Sequence, residues 1–157
     1  MPLERLTKYL DNHDKKYVVI KHSKAYTAQE IAASAHIPGR EMAKTVMLNI
    51  DGDLEMLVLP STHEVDIEQV KKAIDAGEVK LASEDEFEQL FPDCDLGAMP
   101  PFGNLYDIET LVAESLLEDE EIAFNAGTHR ELIRLSLEDY RELVDPKIIR
   151  ASVRRHA

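Results

Sequence analysis

Lys44-Thr45-Val46-Met47-Leu48-Asn49-Ile50-Asp51-Gly52-Asp53-Leu54-Glu55-Met56-Leu57-Val58-Leu59 decides the fold. Two apolar runs, 44–50 and 54–59, flank Asp51-Gly52. A two-residue type I′ turn needs positive φ at both central positions, and Asp-Gly meets that need. The stretch therefore reads as a β-hairpin. Lys44 stands at the mouth of its first strand, where one ammonium could project into a pocket whose walls the strand builds. An edge lysine that blocks strand-to-strand aggregation would occupy the same position.

Working outward, both sides mix helix and strand signals. Leu3, Leu6, Tyr9 and Leu10 recur at helical spacing. Tyr17-Val18-Val19-Ile20 reads as a short strand. Thr27-Ala28-Gln29-Glu30 is a capping box opening an alanine-rich helix that stops before Pro38-Gly39. Asp66 caps a helix carrying Val70 and Ile74, with Gly77 as its stop. Val79-Lys80-Leu81 reads as a strand, and Ser83-Glu84-Asp85-Glu86 as a second capping box followed by Phe87, Leu90 and Phe91. Leu105-Tyr106, Ile122-Ala123-Phe124 and Leu132-Ile133-Arg134-Leu135 read as strands. Ser136 with Asp139 begins a helix ending near Asp145-Pro146, and the tail 147–157 reads as a short basic helix. Hairpins interleaved with helices predict an α+β fold, a curved, mixed and largely antiparallel sheet surrounded by helices.

Bulk properties narrow the function. At 157 residues the chain is expected to form one domain, 1–157, with a core that needs no disulfide or metal staple. The single cysteine, Cys94, excludes a disulfide framework and a Cys-based zinc site, and favours a cytoplasmic setting. Cys94 lies between Asp93 and Asp95, where negative charge raises a thiol pKa and disfavours a nucleophile. No apolar run approaches the roughly 18 residues of a membrane span, and no signal peptide is read, so no membrane partner is expected. No cofactor is implied.

The net charge of −13 argues against a general nucleic-acid binder. The charge is uneven, however. Between 13 and 46 the basic Lys15, Lys16, Lys21, Lys24, Arg40 and Lys44 outnumber Asp14, Glu30 and Glu41. In the tail, Lys147, Arg150, Arg154 and Arg155 stand against Asp145, whereas 81–129 holds no Lys or Arg. The reading is a two-faced molecule, acidic on one side and locally basic near Lys44.

Two further segments carry chemistry. Gly97-Ala98-Met99-Pro100-Pro101-Phe102-Gly103-Asn104 and Asn125-Ala126-Gly127-Thr128-His129 are glycine-containing loops. Glycine lets backbone N–H groups approach an anionic or carbonyl ligand closely. Lysine plus two such loops suits the holding of an acyl group or a phosphate. No Ser-His-Asp, Cys-His or metal constellation competes for that task.

In this order these segments resemble the YbaK/prolyl-tRNA synthetase-associated domain family of aminoacyl-tRNA deacylases. The matching features are His22 followed by the Thr27 helix, Ala43-Lys44-Thr45 opening a strand, the Asp51-Gly52 hairpin and the Gly97 to Pro101 loop. Asn125 to His129, Leu132 to Leu135 and the Ser136–Leu143 helix complete the likeness, which runs over roughly residues 15–145. The resemblance implies an α+β fold and a hydrolase that cleaves the ester joining a wrong amino acid to the 3′-terminal adenosine of tRNA. It implies Lys44 as the catalytic lysine, and His22, Thr45, Gly97, Pro100, Pro101, Gly127, Thr128 and His129 as substrate-binding positions. The implied partners are the 3′ end of an aminoacyl-tRNA and an aminoacyl-tRNA synthetase that delivers it. The cysteine-directed branch carries tyrosine two residues before the position of His22. Here that residue is Ile20, which turns the expectation toward alanine or serine. Two other readings stay open: a non-enzymatic aminoacyl-tRNA or nucleotide binding module of the same fold, and an interaction protein using the acidic 83–121 face.

Overall fold

The computed structural model describes residues 3–21, 37, 41–95 and 97–154. His22, the Thr27 capping box with its helix, and Arg40 lie outside the described residues.

The hairpin forms as expected. Strands β2 (Ala43–Ile50) and β3 (Asp53–Pro60) pair antiparallel along their whole length, from Ala43 opposite Pro60 to Ile50 opposite Asp53. Asp51 and Gly52 have φ of 50° and 94°, as the primed turn demands. The Asp51 carboxylate also accepts N–H bonds from Gly77 (3.2 Å) and Glu78 (2.7 Å), which brings β5 (Val79–Leu81) alongside the end of β2. Gly77 thus serves a close backbone approach. The preceding helix, α2 (Ile67–Ile74), ends earlier, with Asp75 in the left-handed region (φ 54°). Its start is as expected: the Asp66 carboxylate accepts from the Gln69 N–H at 3.1 Å.

Around the hairpin the five-stranded order is β5-β2-β3-β6-β9, where β6 is Thr110–Ala113 and β9 is Lys147–Ile149. The β3–β6 and β6–β9 pairs are parallel. A three-stranded antiparallel sheet, β1-β8-β7, holds Tyr17–Lys21, Glu131–Ser136 and Glu121–Asn125. A small ladder joins β4 (His63–Val65) to β10 (Ser152–Arg154). The architecture is therefore α+β, mixed and mostly antiparallel.

The alternation of β2 and β3 buries both faces of the larger sheet. Ala43, Met47, Met56 and Val58 face one core with Leu6 and Leu10 of α1 (Glu4–Asn12), Ile122 and Phe124 of β7, and Ile133 and Leu135 of β8. Leu48, Ile50, Leu57 and Leu59 face a second core with Val70 of α2. Phe102 lies at the centre of the first, edge-on to Tyr140 of α4 (Leu137–Val144) with ring centroids 5.4 Å apart. The Tyr140 hydroxyl, fully buried, donates to Pro101 O at 2.6 Å. Ser136 caps α4 by accepting the Asp139 N–H, and Ser83 with Glu86 forms the expected box at α3 (Glu84–Phe87).

Two expectations are corrected. Leu105-Tyr106 lies in a 3₁₀ turn, Gly103–Tyr106, whose N-terminal N–H is taken by Thr110 Oγ1 at 3.1 Å. The tail is not a helix over its described part. β9 completes the larger sheet and β10 pairs with β4, because Ile149 and Ala151 are drawn into the second core. Among the described residues no helix is long and apolar enough to cross a membrane.

Candidate functional site

The two main sheets meet at one point. Met42, just before β2, makes an isolated parallel bridge to Ala123 of β7. Both side chains face the same way and share a small apolar cluster with Ile37, Leu132 and, at its margin, Ile20. Arg134 of β8 fixes this junction by donating to both oxygens of Glu41, at 3.2 and 3.4 Å, and by lying 3.7 Å from Glu121.

Side chains in a strand return to one face every second residue. Two residues beyond the bridge on each parallel chain come Lys44 and Asn125. Their side chains alternate onto the face that carries Met42 and Ala123. Asn125 is registered with Leu132, and Leu132 with Ile20. A registered row thus crosses three strands, from polar Asn125 to apolar Leu132 and Ile20, and the cationic Lys44 follows the bridge on the facing strand. β5 joins β2 only from Leu48 onward, so no described strand pairs with that edge of β2 between the bridge and Leu48. The sheets part just where Lys44 stands.

Asn125 Oδ1 is buried and has no hydrogen-bond partner. Buried acceptors are paired in most proteins, so an orphan of this kind calls for a donor from a water or a ligand. Asn125 opens the Asn125–His129 loop motif, which by itself gives it no role. The signal that finds it is cross-strand register, which is non-local.

The turn that follows Asn125 meets the first glycine loop. Gly127 N–H donates to Ala98 O at 3.0 Å, Asp95 N–H to Gly127 O at 2.8 Å, and His129 N–H to the Asp95 carboxylate at 3.4 Å. Gly97 lies against the imidazole: a Cβ there would stand 3.5 Å from His129 Cε1. His129 is only 7% exposed. Gly127 has φ of 92°, and a Cβ on it would approach Leu3 Cβ to 2.9 Å, so both backbone and space require glycine. Thr128 Oγ1 donates to buried Glu131 at 3.4 Å and accepts from the Arg130 N–H at 3.3 Å. Gly97, Gly127, Thr128 and His129 are thus brought together as one loop pair at the end of β7. In the first loop Ala98 spends its N–H on Asp95 O, and Pro100 and Pro101 have none. Gly97 and Met99 carry the loop's remaining N–H groups. Pro100 and Pro101 are buried and support the loop from below. Thr45 alternates onto the face of Ala43 and Met47, away from Lys44.

On the other side of Lys44 lies His63. Its Nδ1 is 2.9 Å from Ser152 Oγ of β10, which is 3.2 Å from Ser115 Oγ. Burial lowers the His63 pKa. Glu118 opposes that shift, while Arg154 and Lys44 add to it. Cys94, bordering a cavity of about 350 Å³ with Asp95 and Met99, is pushed up to about 11. Burial is the larger cause there and Asp93 a smaller one, so the thiol stays protonated. Among the described residues no three His, Cys, Asp or Glu side chains are grouped to hold a metal.

The domain is α+β, with Lys44 near the start of β2, an unsatisfied amide oxygen at Asn125 and two glycine loops joined by hydrogen bonds. Residues 22–143 match the family model of the aminoacyl-tRNA editing domain, and the chain belongs to that family. It is 28% identical over 155 residues to the multifunctional Ser/Thr-tRNA deacylase ProXp-y of Escherichia coli (strain K12), covering 93% of this chain and 90% of that protein. It is 30% identical over 83 residues to the proline–tRNA ligase of Bacillus mycoides (strain KBAB4), which is 53% of this chain but 14% of the ligase. A solved structure described as a candidate trans-editing enzyme for prolyl tRNA synthetase superposes with a TM-score of 0.81 at 18% identity, over 96% of each chain. At that identity the likeness bears on the fold.

Proposed function

We propose that this chain is a trans-editing deacylase that hydrolyses the ester of a mischarged small amino acid on tRNA. What supports the reading is that Lys44 and Asn125 each follow the Met42–Ala123 bridge by two residues on the same face, with the glycine loop pair next after Asn125. Membership of the editing-domain family and the ProXp-y likeness support it.

An aminoacyl ester is already activated, so the protein's task is positioning and electrostatics. In this proposal Lys44 holds the ester carbonyl or a terminal phosphate as a point charge. The Gly97 and Met99 N–H groups meet the carbonyl oxygen as negative charge grows on it. Water attacks the carbonyl carbon, the ester C–O bond breaks, and the ribose oxygen takes up the proton, with a substrate hydroxyl assisting. His129 packs against Gly97 and keeps the loop in place, Gly127 and Thr128 close it, and Pro100 and Pro101 stiffen it. His22 is assigned to a substrate contact by the same reading, whereas Thr45, on the face of β2 opposite Lys44, is not. A synthetase is the partner that would deliver the tRNA.

The test is a panel of mischarged tRNAs incubated with purified protein, scoring release of the amino acid. Release from one or a few small-amino-acid esters is expected. Binding of aminoacyl-tRNA without release from any ester would sink the enzymatic reading and favour a binding module.

A further inference from the structure

We infer that Asn125 reads the β-hydroxyl of a seryl or threonyl ester, which makes it the residue that separates hydroxy amino acids from alanine in this chain. The inference rests on the deacylase reading above and assigns the substrate side chain within it.

The argument starts from the orphan acceptor. Asn125 Oδ1 is buried without a partner, and no other described side chain satisfies it. An acceptor kept in that state gains most from a ligand that donates to it. Its neighbours in the row narrow the donor. Lys44 is on one side, and Leu132 followed by Ile20 on the other. Paired strands lie about 4.8 Å apart, so each step from Asn125 to Leu132 and on to Ile20 is about the reach of one small side chain. An ester carbonyl drawn to the Lys44 ammonium directs its side chain along the row, toward Leu132. A β-hydroxyl then arrives at Asn125, and the γ-methyl of threonine falls on the apolar end of the row. The α-ammonium is a poor alternative there, because it would be placed next to the Lys44 charge.

Leu132 is wholly buried and Ile20 half-buried, so the row closes with aliphatic groups that offer no donor to Asn125. An alanyl ester leaves Oδ1 unpaired in a dry place. Sites that hydrogen-bond a substrate hydroxyl reject the analogue lacking it far better than apolar pockets reject a missing methylene.

The experiment compares kcat/KM for seryl and alanyl esters on the same tRNA, in the wild type and in Asn125→Leu, which keeps the volume and removes the acceptor. The wild type should prefer the seryl ester by about tenfold or more. Asn125→Leu should lose that preference through the seryl ester alone, with alanyl hydrolysis kept or raised, which also reports that the variant is folded. If the leucine variant does not fold, Asn125→Ala is measured in the same way. A wild type that prefers the alanyl ester overturns the inference. So does an equal loss on both esters, which would mark Asn125 as holding the α-ammonium or the fold. A wild type inert on every ester instead removes the deacylase reading itself.

Discussion

Arg134 donates to both carboxylate oxygens of Glu41, the residue immediately before the Met42 bridge to Ala123. Glu41 is 16% and Arg134 33% exposed at the side chain, so the pair is neither free in water nor fully desolvated. It holds the start of β2 against the three-stranded sheet. Arg134→Ala is expected to cost about 1–2 kcal/mol, between the values for surface and buried pairs. Because it loosens the junction that sets Lys44 beside Asn125, hydrolysis should fall further than the loss of stability alone explains. Urea titration alongside single-turnover deacylation checks both. Full activity in a destabilised Arg134→Ala would show that the junction does not set the site.

Lys44→Ala should lower deacylation by at least about tenfold, about 1.4 kcal/mol of transition-state stabilisation. Unfolding midpoints should barely change, since Lys44 interrupts the apolar faces of its strand instead of filling them. Wild-type rates in folded Lys44→Ala protein would remove the lysine from the mechanism.

Substrate preference should form a graded series with serine first, ahead of cysteine. Ile20, where the cysteine-directed branch has tyrosine, ends the row through Leu132 and Asn125. An apolar pocket separates near-isosteres by only ~1–3 kcal/mol per methylene. Alanyl, seryl and cysteinyl esters on one tRNA make the comparison. Fastest removal of cysteine, with the other two untouched, would show that Ile20 does not mark specificity.

His63 makes stability depend on pH in a definite direction. Burial lowers its folded pKa beneath the unfolded value of about 6.5, with Arg154 and Lys44 adding and Glu118 opposing. Below pH of about 6.5 the unfolded chain gains a proton that the folded chain takes up less readily. This contribution therefore falls as pH drops through the unfolded and then the lowered folded pKa, and levels beneath both. Denaturation midpoints of His63→Gln should be flatter than those of the wild type between pH 7.5 and 5. Parallel curves for the two proteins would contradict the assignment.

The hairpin was legible because its turn chemistry and its alternation agree within sixteen residues. The caps at Asp66, Ser83 and Ser136 were legible for the same local reason. The tail was not. Lys147, Arg150 and Arg154 suggested a solvated helix, whereas Ile149 and Ala151 pack into a core assembled by strands far away in sequence. Leu105-Tyr106 has strand-like composition, but Gly103 and Thr110 close a turn around it. Of the site, Lys44 and the loop pair could be read from residue type and spacing. The row could not, because it joins residues 20, 125 and 132 by register alone and meets β2 through a single bridge.

β1 finds its partner in β8, more than a hundred residues later, and β9 and β10 complete ladders begun by β6 and β4. A nascent chain leaving the ribosome therefore carries β1 unpaired until β8 emerges, and the open flank of β6 unpaired until β9 follows. Its early product exposes strand edges to other chains for most of the time it takes to be made. Truncation near residue 145 would leave the sheet open on the side where β9 docks, so such a fragment should need a chaperone that the longer chain can release.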